Sequence, residues 1–78
     1  MTTMAMNAVD QLELRRANLR DLITTSGKTL QEVIDHTGIP RATLYNLLNA
    51  EGFAISMREV RKIWKACGKP GKMSDLLA

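Results

Sequence analysis

Residues 29–49 read TLQEVIDHTGIPRATLYNLLN, and this stretch decides the fold. It opens with Thr29 three residues before Glu32. That is the spacing of a capping box, in which the threonine accepts from a free helical N–H and the glutamate reaches back. A helix over Leu30–Thr37 follows, with Leu30, Val33 and Ile34 turned inward. Gly38 ends it, because glycine tolerates the left-handed conformation of a helix stop. Pro40 then opens a second helix over Pro40–Leu48, in the first turn, where a missing N–H does no harm. Leu44, Leu47 and Leu48 stand at i, i+3 and i+4 and must face a core. Two helices joined by so tight a glycine turn can cross at a large angle. The outer face of the second helix carries Arg41, Tyr45 and Asn49, with Ala42 and Asn46 beside them. No acid occurs between Gly38 and Ala50.

Outward from this motif the chain stays helical. Asp10 with Glu13, and Ser56 with Glu59, repeat the capping-box spacing. Gly27, Gly52 and Gly68, like Gly38, fall where helices should stop. The first helix is expected over Asp10–Thr25, with Leu12, Leu19, Leu22 and Ile23 inward and Leu14 less clearly so. A fourth is expected over Met57–Cys67, where Met57, Val60, Ile63, Trp64 and Cys67 make one apolar face. A short fifth, around Ser74–Leu77, lays Leu76 and Leu77 over the core. Ala50–Ile55 reads as an extended loop, and no stretch alternates as a strand would. Residues 1–9, with Met1, Met4 and Met6 among small and polar neighbours, read as a frayed tail ahead of one domain over 10–78.

With 78 residues the chain is one domain at most. A chain of this size buries only about 60% of its unfolded surface, so its stability is marginal. The aromatics are Tyr45, Phe53 and Trp64 alone, which makes the core aliphatic. Cys67 is the single cysteine and reads as a small buried hydrophobe. One Cys and one His, His36, build neither a disulfide nor a zinc site. Met1–Val9 lacks a basic n-region and no segment approaches a membrane span, so a cytoplasmic protein is expected. Asp21, Glu32 and Asp35 have no His, Ser or further carboxylate placed with them. No catalytic constellation, cofactor, metal or small-molecule ligand is therefore expected.

Charge is uneven. Residues 1–39 hold four basic and five acidic residues, residues 40–78 seven basic and three acidic. The second half thus carries the positive field, which suits a polyanion. Arg58, Arg61, Lys62 and Lys65 fall opposite the apolar stripe of their helix and read as a solubilising face, with one or two touching phosphate. The residues on the outer face of Arg41–Asn49 suit base edges. Arginine donates two bonds to guanine, and asparagine pairs with the two-atom edge of adenine.

The segment TLQEVIDHTGIPRATLYNLLN resembles the helix-turn-helix of the lambda-repressor and Cro family. The wider match runs from about Leu19 to Leu77 and takes in LRDLI before the motif and REVRKIWKACG after it. GIPRATLYNLL also resembles the reading helix of the resolvase and invertase group. The resemblance matches the family's turn glycine to Gly38 and its buried positions to Ile39, Leu44 and Leu47. Leu30 stands where the family has Gln, Ile34 where it has a small residue, and Thr37 where it has an apolar one. The resemblance implies an all-α, compact, four- to five-helix lambda-repressor-like domain. It implies base contacts from Arg41, Ala42, Tyr45 and Asn46. Contacts to the DNA backbone are implied for Lys28, Thr29, Gln31, Thr43, Asn49, Ser56 and Arg58. The function to expect is a transcription regulator, a repressor that occupies double-stranded DNA. One helix reads too few base pairs for a genome, so a homodimer on a near-palindromic site is expected. Two rival readings stand beside it. One is an antitoxin-like protein-interaction module using Phe53 and Ile55, or Met4 and Met6, as exposed contacts. The other is the DNA-binding part of a recombinase or excision factor.

Overall fold

In a computed structural model, which describes residues 8–76, the chain forms four α-helices and a final 3-10 turn. They are α1 (Ala8–Ser26), α2 (Leu30–Thr37), α3 (Arg41–Asn49), α4 (Met57–Ala66) and the turn at Met73–Leu76. The described residues include no strand, and the fold is all-α. The expected tail over residues 1–9 lies outside the described residues up to position 7, as do Met4, Met6 and Leu77.

The motif helices form as their caps dictate. Thr29, extended at φ −82° and ψ 161°, accepts at Oγ1 from the N–H of Glu32 and donates its own N–H to that carboxylate. At the other end Gly38 takes φ 74° and donates its N–H to the carbonyl of Ile34 at 2.8 Å. Thr37 completes the stop. Its hydroxyl donates to the Val33 carbonyl at 2.7 Å and accepts from the Ile39 N–H at 3.2 Å. A polar residue here therefore supplies two bonds that an apolar one could not. Ile39, 5% exposed, drops into the core between the helices. Pro40 is the N-cap of α3 rather than part of its first turn, since its ψ of 144° is extended.

The core joins Leu19, Leu22 and Ile23 of α1 with Val33, the three leucines of α3, and Val60, Ile63 and Ala66 of α4. Ile39, Ile55, Cys67 and Leu76 seal it between the helices. Leu12, Leu30, Ile34, Phe53, Trp64 and Met73 pack against its edge, half-buried. α1 lies against both α3 and α4, and α2 bridges α3 and α4. The last turn is tied down twice. Asn18 Nδ2 donates to the Leu76 carbonyl at 3.3 Å, and Trp64 Nε1 donates to the Pro70 carbonyl at 3.0 Å.

Four expectations need correction. The helix α1 includes Ala8 and Val9, so Asp10 lies inside its first turn instead of capping it. Glu13 consequently does not reach back to Asp10; it turns to Arg16 and to the Gly52 N–H. Met57 was placed on the inward face of α4 but is 45% exposed. It is the first helical residue, next to the solvent-facing capping box of Ser56 and Glu59, and the helix meets the core only from Val60 onward. Phe53 and Ile55 are not exposed contacts: Ile55 is 7% exposed and Phe53 packs on the core, because the loop folds back over α1.

The loop folds back because of Arg16, which is only 2% exposed. Its position completes the stripe Leu12, Arg16, Leu19, Ile23, so a guanidinium enters the core between α1 and α3. There it donates to the carbonyls of Asn46 and Leu47, in the last turn of α3, and to the carbonyl of Phe53 at 2.7 Å. The end of a helix carries unpaired carbonyls and partial negative charge, so a cation there is favourable. Glu13 balances the charge at 2.9 Å and holds the loop through the Gly52 N–H at 3.0 Å. One ion pair on α1 thereby fixes both the end of α3 and the loop that follows.

Candidate nucleic-acid interface

The exposed side of α3 is built by exclusion. Leu44, Leu47 and Leu48 take the buried side, each at 5% exposure or less. The remaining positions, Arg41, Ala42, Tyr45, Asn46 and Asn49, are all exposed, and Thr43 is half-buried. Among the described residues Tyr45 is the most exposed large hydrophobic, at 59%. Arg41, Ala42, Tyr45 and Asn46 line one open depression together with Leu30 from the start of α2. The first turn of α3 has no side-chain cap and no acidic residue. Its leading N–H groups, with the positive end of the helix dipole, stand beside Arg41.

Neighbouring groups order this surface. Asn49 Nδ2 donates to the Tyr45 carbonyl at 3.0 Å, along the helix. Gln31, exposed on the first turn of α2, accepts at Oε1 from Arg41 Nη2. Its own amide nitrogen donates to Asp35 Oδ1 at 2.8 Å. The carboxyl of Glu32 is held below the usual glutamate range by its bonds to the Thr29 N–H and hydroxyl, with Lys28 adding a smaller Coulombic contribution. It is therefore an anion committed to its cap.

The other residues named from the sequence fall into separate groups. Lys28 lines a different depression, with Glu32, Asp35, His36 and Ala66. Thr29 and Ser56 are both occupied as caps; the Ser56 hydroxyl donates to Glu59 Oε1 at 2.9 Å and accepts from the Glu59 N–H at 3.2 Å. Arg58 lies with Met57, Arg61, Lys62 and Lys65 in a basic depression along α4. Thus Gln31 joins the α3 face directly, whereas Lys28 and Arg58 line depressions of their own.

Sequence reasoning missed Arg16, which shapes this interface from behind by holding the carbonyls of Asn46 and Leu47. The signal was present: an arginine inside an apolar stripe, three residues after a glutamate. Asp35, read from the sequence only as a carboxylate without catalytic partners, accepts from the Gln31 amide.

Among the described residues no group of three or more His, Cys, Asp and Glu could hold a metal ion. No helix of the described residues is long and apolar enough to cross a membrane. Comparison of the chain with protein-family models, with curated proteins and with solved structures finds no match.

Proposed function

We propose that this chain is a sequence-specific double-stranded DNA-binding regulator of the lambda-repressor-like class, acting as a repressor by occupying its site as a homodimer. The observation that carries this reading is the solvent face of α3. It offers Arg41, Ala42, Tyr45 and Asn46 without an acid, behind a three-residue turn of Gly38, Ile39 and Pro40. An α-helix fits the major groove, and these are donors, acceptors and apolar groups of the kind that distinguish base pairs. Gln31, Thr43 and Asn49 flank the face and would bond phosphate. The bases read would number only a few, so two copies on a near-palindrome, about 34 Å apart, supply the specificity. Such a protein works in the cytoplasm, on the nucleoid.

The test is a pair of variants profiled against a library of duplexes. Asn46→Ala should lose discrimination at one or two base positions, by about 1–3 kcal/mol each. Lys65→Ala, on the basic side of α4, should weaken all sequences alike or change little. Identical specificity profiles for the two variants would remove α3 as the reading element.

A further inference from the structure

We infer that Asp35 is a positioning residue for base recognition: acting through Gln31, it holds the Arg41 guanidinium in the pose that reads a guanine. The inference rests on the reading of α3 given above and adds a residue with no expected DNA contact.

Gln31 and Asp35 stand one helical turn apart on α2, the i and i+4 spacing at which side chains meet. A glutamine amide can face a partner with either its oxygen or its nitrogen. A carboxylate only accepts and a guanidinium only donates. The bond from Gln31 Nε2 to Asp35 Oδ1, at 2.8 Å, therefore obliges Gln31 Oε1 to face the other way. What it meets there is Arg41 Nη2. The polarity of this chain of bonds admits no reversal. Without Asp35 the amide is free to flip, and would then present N–H groups to a cation.

Arg41 has no ion pair with any described residue, and it stands at the first position of α3. A long exposed side chain loses rotamer freedom when it binds, and holding it beforehand removes part of that cost. The bond to Gln31 uses one of the five guanidinium donors and leaves four, enough for the two-pronged contact to guanine. Asp35 also carries an exposed negative charge on the motif. On charge alone, deleting it should strengthen binding to every duplex, because repulsion from phosphate is relieved. The positioning role predicts a loss of discrimination instead, so the two effects have separable signs.

The experiment compares the full chain with Asp35→Ala, Asp35→Asn and Arg41→Ala on two duplexes. One is the preferred sequence selected from random DNA; the other replaces the guanine at which Arg41→Ala loses preference. Asp35→Ala should lose at least about fivefold in discrimination at that guanine. Discrimination elsewhere and the melting temperature should not move. Asp35→Asn offers an amide that can accept from Gln31 or donate to it, so it should lose less discrimination than Asp35→Ala while binding both duplexes more tightly. If Asp35→Ala strengthens both duplexes equally, the positioning role is overturned. Equal loss in both Asp35 variants would also overturn it, since charge rather than the acceptor would then be at work. If the unaltered chain shows no sequence preference, the reading of α3 itself fails and the inference falls with it. Preference retained in Asp35→Ala would remove the inference alone.

Discussion

Arg16→Met is the substitution that most directly weighs how the back of α3 is held. Methionine keeps much of the buried volume and removes only the donors. The Asn46 carbonyl retains the N–H of Ala50 at 2.8 Å and stays satisfied. The Leu47 and Phe53 carbonyls lose Arg16 as their partner, and Glu13 loses its ion pair. A hydrogen bond to a charged group contributes about 1.5–3 kcal/mol. Two of them give a loss of about 3–6 kcal/mol. Folded domains hold about 0.05–0.15 kcal/mol per residue, so 78 residues have about 4–12 kcal/mol in all. The variant should therefore lose a large part of its stability. At about 4–8 °C per kcal/mol, the melting temperature should fall by at least 12 °C, about. Urea denaturation followed by helical circular dichroism measures the loss. Arg16→Lys, which keeps the charge but not the fork, should fall between the two. A loss below about 1 kcal/mol for Arg16→Met would refute the reasoning, because the guanidinium would then add nothing beyond its volume.

Two further outcomes test the packing and the caps. Ile34 is half-buried against the core rather than enclosed by it, so Ile34→Ala should cost about 1–2 kcal/mol, below the 2–5 typical of a fully buried site; a loss under about 0.5 kcal/mol in a denaturation curve would place Ile34 at the surface and shift the register of α2. Acid should weaken the fold through two carboxyls. Glu13 is held below the usual range by the Arg16 hydrogen bond first and the Gly52 N–H second, and Glu32 by its bonds to Thr29. A lowered folded pKa means that the unfolded chain binds the proton more readily. The stabilisation is thus complete above the ordinary glutamate pKa of about 4.3 and is lost as pH falls through the lower folded values. Melting temperatures measured from pH 6 to about pH 3 should drop chiefly below about 4.3, and Glu13→Gln should flatten that drop; an unchanged slope in the variant would remove Glu13 from the account.

The helices of the motif were legible because their signals are local. Thr29 with Glu32, Gly38, and the leucine spacing of 44, 47 and 48 each act within a turn or two, and the structure shows the caps and burial they imply. Ser56 with Glu59 was read correctly for the same reason. Asp10 with Glu13 has the identical spacing and misled, because the helix starts earlier, at Ala8, and Glu13 turns to Arg16 and the Gly52 N–H. Met57 misled for a related reason. Helical periodicity tells which side a residue is on, but not whether the helix has yet reached its neighbours at that point. Arg16 was hidden by its chemistry: an arginine in an apolar stripe reads as an interruption until the carbonyls that need it are in place. The exposed set on α3 was legible, since three buried leucines leave the other positions to solvent. The link from Asp35 through Gln31 to Arg41 was not, because it spans the turn between two helices.

The central claim is that α3 reads sequence in duplex DNA. The most direct measurement is competitive mobility shift of the unaltered chain, at low and at moderate salt, on a site selected from random duplexes and on scrambled versions of it. The account predicts a near-palindromic selected site that binds well over tenfold more tightly than the scrambled duplexes, with affinity for all of them falling steeply as salt rises. Equal affinity for every duplex at low salt would contradict it.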